Sequence, residues 1–131
     1  MNIFEAMFNR RSVRKYQMKP LPADVLGKIR RMIENVSVLD ESCRVEFEIL
    51  ENFGKKSQAK GLIKAEAPYY LLVYCEDTPS AYRNAGYMAE QLVLYMTAKE
   101  IGTCYLGSAK AGPKEKNGLK QFLVIAFALP R

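Results

Sequence analysis

The sequence predicts an α+β fold in which helices flank a mixed β-sheet, with an α/β sandwich as the alternative. Arg44–Leu50 alternates charged and apolar residues, as a half-buried strand does. Tyr69–Cys75 is apolar on both parities, which is typical of a central strand covered on both faces. An apolar stripe at helical spacing follows from Ala81 to about Glu100, with Gly102 as its predicted stop. Helices and strands therefore alternate along the chain.

The remaining elements are shorter. Asn2 and Glu5 suit a capping box for a first helix that ends at Asn9. Pro22 suits a helix start, and apolar residues then recur at helical spacing up to Val36. The rest of the prediction is a polar, mobile loop over Glu51–Gly61, an extended piece over Thr103–Gly107, a polar loop over Ala109–Lys120 and a buried last strand over Gln121–Leu129.

Length and composition favour a single domain, residues 1–131, with a sizeable core. Hydrophobic residues make up 49% of the chain, and a protein of this size buries roughly two-thirds of its unfolded surface. The net charge of +6 favours anionic partners such as phosphate or nucleotide, without choosing among them. Histidine is absent, which removes the commonest general base and metal ligand, so we expect no metal site.

The cysteines and the hydropathy pattern bear on the cellular compartment. Cys43, Cys75 and Cys104 are odd in number and widely spaced, which argues against a disulfide framework and a zinc knuckle. Free thiols fit a reducing compartment. Met1–Arg11 lacks the apolar core of a signal peptide, and no apolar run is long enough to span a bilayer. We therefore expect a cytoplasmic protein without a membrane partner.

Two segments could hold a ligand, and the first is strongly basic. It places four cations and a hydroxyl within six residues: Arg10, Arg11, Ser12, Arg14 and Lys15. In an extended segment Arg10, Ser12 and Arg14 point to the same side, and the arginine fork suits a phosphate group. The alternative is a solvated basic surface, since short basic runs are common.

The second candidate segment is Gly102–Gly107, where two glycines would let the backbone approach a flat ligand closely. The alternative is a helix C-cap followed by an edge strand. Cys104 could act as a nucleophile only if lysine, arginine or a helix N-terminus activated it, and a small buried residue is the favoured interpretation.

Read together, these segments resemble the nitroreductase family. FEAMFNRRSVRKYQMKPLP (Phe4–Pro22) is similar to the short helix, R-R-S-x-R-x-[FY] turn and proline-containing connector of that family. NAGYMAEQLVLYMTAKEIGTCYLG (Asn84–Gly107) is similar to its central helix and G-T-C-W-[LI]-G segment. The closing FLVIAFALP is similar to its last strand. The matched segments occur in the family's order.

The resemblance implies a homodimer with FMN at its interface. Seven residues carry the implied cofactor site: Arg10, Arg11, Ser12, Arg14, Tyr105, Leu106 and Gly107. The first two arginines would reach the FMN phosphate, and the serine would bond to the phosphate or ribityl chain. Arg14 would lie near the ribityl chain and the N1–C2=O edge, where a cation stabilises the anionic reduced flavin. The last three would face the N5–O4 edge through their backbone.

The implied activity is a ping-pong oxidoreduction. NAD(P)H would reduce FMN by hydride transfer to N5, and a nitroaromatic, quinone or similar small-molecule acceptor would then take the electrons. Because the flavin carries this chemistry, no side chain is assigned a catalytic role, and the absence of histidine is no obstacle.

Departures from the family pattern motivate an alternative. Ser37–Cys43 (SVLDESC) stands where the family has a P-S-x-x-N-like turn that touches the flavin, and Tyr105 stands where tryptophan is usual. The chain ends at Arg131 where many relatives continue with a basic arm, so we expect either a minimal member or an incomplete chain. The alternative is a catalytically degenerate flavin-binding protein. A nucleic-acid-binding module is disfavoured because the basic residues are scattered and no nucleic-acid-binding signature occurs.

Overall fold

The computed structural model describes residues 1–54, 58–60 and 65–131. The helices are α1 (Ile3–Asn9), α2 (Ala23–Asn35) and α3 (Pro79–Ala98). The strands are β1 (Val45–Glu51), β2 (Ala59–Lys60), β3 (Tyr69–Cys75), β4 (Gly102–Tyr105), β5 (Lys110–Ala111), β6 (Glu115–Lys116) and β7 (Leu119–Ala128). Part of the predicted mobile loop, residues 55–57 and 61, lies outside the described residues.

The main sheet has the strand order β1-β3-β7-β4, and β6 pairs with the beginning of β7. Every residue of β3 is buried, which confirms the prediction of a central strand at Tyr69–Cys75. All pairings between the named strands are antiparallel. Within the described ranges, parallel pairing is limited to an isolated bridge between Ser12 and Thr103. The α+β class is as predicted. The sheet is mixed only through this one parallel bridge among the described residues.

Alternation along β3 divides the core into two layers. Leu71 and Val73 face the helical layer, where α2 and α3 pack together with Ile125 and Phe127 of β7. Leu72 faces the opposite layer, which is closed by four alanines on the connecting segments: Ala59, Ala65, Ala109 and Ala111. Two of these alanines, Ala59 and Ala111, pair with each other in the two-stranded β2–β5 ribbon. Because both are buried in this layer, the ribbon packs against the main sheet.

The long helix α3 begins after a polar cap, as the sequence suggests, but it does not end at the predicted residue. Thr78 is its N-cap and accepts a hydrogen bond from the Ala81 backbone N–H (3.1 Å). The sequence placed the stop at Gly102, whereas the left-handed residue after the helix is Glu100, with a φ of +62°. Gly102 is instead the first residue of β4.

The predicted polar loop over Ala109–Lys120 contains two short strands, β5 and β6, and this prediction was therefore wrong in part. Asn117 and Gly118 both have positive φ, +51° and +81°. They connect paired residues Lys116 and Leu119 in a two-residue hairpin. Asn-Gly is the preferred sequence for such a turn, so the sequence did carry the signal for this hairpin.

Three further findings concern membranes, metals and thiols. Among the helices of the described ranges, none is both long and apolar enough to cross a bilayer. The same ranges bring no three candidate metal ligands together. Cys43, Cys75 and Cys104 are all free thiols.

Candidate functional site

The two candidate segments lie side by side. Ser12 forms the parallel bridge with Thr103, and the Val13 backbone N–H donates to the Thr103 carbonyl (2.8 Å). At its far end the basic segment is held by the end of the chain, because the backbone N–H of Arg131 donates to the carbonyl of Lys15 (3.0 Å). Backbone hydrogen bonds therefore fix the basic segment in an extended form along β4.

The close approach of these segments depends on Gly102. A Cβ atom built on Gly102 would lie 2.9 Å from both Cβ and Cγ1 of Val13. Any larger residue would have to push Val13 and its neighbours away from β4. The role of this glycine is thus to admit the basic segment, and it is not a helix stop.

One cavity joins residues from both segments. It has a volume of about 290 Å³ and is lined by Arg14, Ala65, Cys104, Tyr105, Leu106, Gly107 and Ser108. The structure thereby brings Arg14 together with Tyr105, Leu106 and Gly107, the three residues that were assigned backbone contacts to a flat ligand. This space is named the Arg14 cavity below.

The other basic residues lie around β4 on different sides. Arg11 and Val13 line a second cavity of about 280 Å³ that also touches Gly102 and Thr103. Arg11 is therefore separated from the Arg14 cavity, as the alternation of an extended segment requires. Ser12, between them, is half-buried. The assigned roles of these residues toward a cofactor stay predictions.

Arg10 lies close enough to Tyr105 for its charge to act on the phenol. The Tyr105 hydroxyl donates a hydrogen bond to Oε2 of Glu90 (2.8 Å). Burial is the largest cause that raises the pKa of Tyr105, the bonded Glu90 carboxylate raises it further, and the Arg10 guanidinium acts against both. Tyr105 therefore stays protonated and keeps its bond to Glu90.

Sequence reasoning missed Glu90. It is half-buried and lies beside the apolar stripe of α3, at a position where a helix ordinarily carries a polar residue. The sequence therefore gives no signal that marks it. Its partner 15 residues further on could be identified only from the tertiary structure.

Among the described residues, four buried side-chain polar atoms have no hydrogen-bond partner, and two of them belong to the candidate segments. They are Nη1 of Arg10 and Oγ1 of Thr103. A buried donor without an acceptor costs about 1–3 kcal/mol, and more when it is charged. An anionic ligand would provide the missing acceptor for Arg10, so the residues present fit a phosphate-bearing cofactor.

The segment after α2 is held by two side chains of α3. Gln91 accepts a hydrogen bond from the Ser37 N–H (2.9 Å) and donates one to the Ser37 carbonyl (2.8 Å). Asn84 accepts from the N–H groups of both Leu39 and Asp40 (3.0 Å each). The backbone donors at these three positions are therefore already in use.

Comparison with known proteins identifies the family. A protein-family model described as "Putative TM nitroreductase" matches residues 2–131. The chain belongs to the nitroreductase family. A comparison with curated proteins finds no match.

Solved structures of the nitroreductase family share the fold. A structure described as a "putative nitroreductase" from Thermotoga maritima has 25% identity and a TM-score of 0.70, covering 100% of this chain and 49% of its own. The present chain thus spans about half the length of that relative. A nitroreductase with bound FMN from Bacteroides fragilis has 18% identity and a TM-score of 0.74, covering 100% of this chain and 89% of its own. A nitroreductase family protein from Clostridium novyi has 15% identity and a TM-score of 0.74, covering 100% and 86%. The predicted nitroreductase-like fold is confirmed.

Proposed function

We propose that this nitroreductase family member is an FMN-dependent NAD(P)H oxidoreductase that reduces nitroaromatic, quinone or similar acceptors by a ping-pong mechanism. One observation carries the proposal. Arg14 and Tyr105–Gly107 line one cavity, and Arg10, whose charge acts on Tyr105, has a buried guanidinium nitrogen with no acceptor in the part of the chain that the structure describes. The FMN-bound structure of the B. fragilis relative supports the choice of cofactor.

The residues divide the work of holding the cofactor. Arg10 would bind its phosphate, and Ser12 would bond to the phosphate or the ribityl chain. Arg11 would add positive charge toward the phosphate from the neighbouring cavity on the other side of the segment. Arg14 would place a positive charge beside the ring, where it stabilises negative charge on a reduced flavin. Tyr105, Leu106 and Gly107 would face the ring through their backbone. FMN, when bound, supplies hydride acceptance and electron donation, so the chain contributes binding, orientation and electrostatics.

We further propose a homodimer with FMN at the interface. Four apolar side chains of α1 are exposed by 44% to 75%: Ile3, Phe4, Met7 and Phe8. Such a contiguous apolar face marks an interaction surface. The Arg14 cavity, at about 290 Å³, also lies just below the range of about 300–1,000 Å³ for small-molecule sites. A second protomer would cover the α1 face and enlarge the cavity.

A catalytically degenerate flavin-binding protein is the second candidate. It is favoured by the segment after α2, where the backbone N–H groups of Ser37, Leu39 and Asp40 are bonded to Gln91 and Asn84 and are not free for a ligand. Both candidates bind FMN, and they differ in turnover. Stopped-flow reduction by NADH or NADPH, followed by reoxidation with a nitroaromatic or quinone, would exclude the degenerate protein.

The cofactor site is tested by FMN titration of the purified protein. The wild type is expected to bind FMN and take on the flavin absorption bands. Arg10→Ala combined with Arg14→Ala removes two charge-assisted contacts, so FMN affinity should fall by about 100-fold or more. Arg30→Ala with Arg31→Ala, on the exposed side of α2, removes the same charge and should bind FMN as the wild type does. Equal FMN affinity of the two double variants would refute the assignment.

A further inference from the structure

The β2–β5 ribbon places two lysines in a like-charge pair. Lys60 and Lys110 are directly opposite in the antiparallel register, and both are exposed. Their neighbours Ala59 and Ala111 face the core with 1% and 3% exposure. Like charges at directly opposite positions destabilise a strand pair. An anion between the two ammonium groups would turn this arrangement into a favourable one.

Two more lysines extend this positive surface. Lys110, Lys114 and Lys120 line a cavity of about 380 Å³ together with Glu115 and Gln121. Lys120 also lies 3.8 Å from Asp77, but both side chains are more than 60% exposed, and such a surface pair contributes little. We call the surface formed by Lys60, Lys110, Lys114 and Lys120 the lysine groove.

The lysine groove continues into a cavity with an aromatic wall. This second space, about 290 Å³, shares Lys110, Lys120 and Gln121 with the first and adds Cys75, Asp77, Tyr82 and Phe122. The Tyr82 and Phe122 rings are stacked, with centroids 4.7 Å apart. Cations next to stacked aromatic rings suit a nucleotide, because such a ligand combines a phosphate with a flat base.

The lysine groove lies beside the Arg14 cavity. Ser108 lines that cavity, and Lys110 is only two residues further along the chain. Two residues span at most about 7 Å of extended backbone. A ligand whose reacting ring lies in the Arg14 cavity can therefore extend its phosphate-bearing end toward the lysines.

We propose that the lysine groove binds the 2′-phosphate end of NADPH and makes NADPH, not NADH, the preferred reductant. This inference rests on the proposed function. NADPH and NADH differ only by a phosphomonoester, which adds about −1.5 to −2 charge at neutral pH. The four lysines outnumber the two carboxylates that line the two cavities, Asp77 and Glu115, so the groove discriminates on that charge, whereas NADH presents a neutral hydroxyl there.

Binding is tested without turnover, using adenosine 2′,5′-bisphosphate and AMP as probes in calorimetry. The bisphosphate is expected to bind about tenfold more tightly than AMP at low salt, and the difference should shrink as salt rises. Lys110→Ala with Lys120→Ala should remove most of this difference, and arginine at both positions should restore it. The control is Lys19→Ala with Lys28→Ala, which removes the same two charges at exposed lysines outside the groove and should keep the difference in affinity.

A second measurement separates this inference from the proposed function. In stopped-flow reduction of the FMN-loaded wild type, kcat/KM for NADPH should exceed that for NADH about tenfold. The Lys110/Lys120 alanine variant should lose that preference because its kcat/KM for NADPH falls to that for NADH, whereas the Lys19/Lys28 variant should keep the wild-type ratio. If the protein binds no FMN, the proposed function fails, and the probe titration still decides on the groove. Equal binding of bisphosphate and AMP, or equal losses in the Lys19/Lys28 control, would overturn the inference.

Discussion

Val13 occupies the space in which Gly102 would carry a side chain, and this contact sets the distance between the basic segment and β4. The Cβ and Cγ1 atoms of Val13 lie 2.9 Å from a Cβ built on Gly102. Because a Cβ atom of Val13 cannot rotate away, relief of the clash requires movement of the backbone that also carries Ser12 and Arg14. The geometry of the candidate cofactor site thus depends on an apolar contact outside it.

We predict that Gly102→Ala destabilises the fold by about 1–3 kcal/mol, as overpacking of a buried site does. FMN affinity should fall with it, since Arg14 moves relative to Tyr105–Gly107. Urea denaturation and FMN titration measure the two effects. Val13→Gly in the same chain, which removes the Cβ together with the methyl groups, should recover part of both losses, and strict additivity of the two substitutions would show that the contact is not their cause.

We predict that Tyr105→Phe lowers stability by about 1–3 kcal/mol, because it leaves the half-buried Glu90 carboxylate without its hydrogen-bond donor. The substitution keeps the aromatic ring in the wall of the site. Tyr87→Phe is the matched control on an exposed tyrosine of α3, with an expected change below about 0.5 kcal/mol. Equal urea midpoints for the two variants would contradict a stabilising Glu90–Tyr105 bond.

Sequence reasoning recovered the features that are encoded locally. β3 was predicted because its residues are apolar on both parities, and the structure buries all of them. The pairing of Ser12 with Thr103 joins two segments that the sequence had singled out separately. The resemblance to the family put them in one site, because periodicity says nothing about contacts across 91 positions.

Other features depend on tertiary context. The strands β2 and β5 have two residues each, which is too short for any periodic pattern. The bond between Glu90 and Tyr105 joins a helix to a strand and has no sequence signature. The Asn117–Gly118 hairpin is different, because its turn chemistry was present in the sequence and the polar composition around it concealed it.

We predict that Gly118→Ala destabilises the protein by about 1–2 kcal/mol through backbone strain alone. Gly118 has a φ of +81°, and a Cβ there would meet no atom within 4 Å. Gly27→Ala is the matched control, since it lies inside α2 with equally open space and should stabilise by up to about 1 kcal/mol. Thermal unfolding should show a lower Tm for Gly118→Ala and an equal or higher Tm for Gly27→Ala. A lower Tm for both variants would contradict this account.

We predict that stability declines at alkaline pH. Burial raises the pKa of the Cys75 thiol from 9.0 to about 11, and burial also raises the pKa of Tyr16 and Tyr105 above the ordinary 10.0. A group with a raised pKa in the folded state keeps its contribution below the unfolded pKa. It loses that contribution as pH rises toward the folded pKa, because only the unfolded chain releases the proton. The urea midpoint should therefore be constant near neutrality and fall from about pH 9 upward.

The tyrosine part of this decline can be isolated. Tyr105→Phe removes one titrating group, so its urea midpoint should fall less steeply between about pH 10 and 11 than that of the wild type. Tyr87→Phe, at an exposed tyrosine, should keep the wild-type slope. Identical slopes for all three proteins would exclude Tyr105 as a source of the decline.

We predict that the segment after α2 is held in two independent places. Asn84→Ala removes the acceptor for the Leu39 and Asp40 amides, whose hydrogen exchange should accelerate by about tenfold or more. Gln91→Ala should accelerate the Ser37 amide instead, because Gln91 bonds only to that residue in this segment. Each variant is thus the control for the other in amide exchange followed by NMR. If either substitution accelerated all three amides equally, the segment would open as one unit, and the separate roles of Asn84 and Gln91 would be wrong.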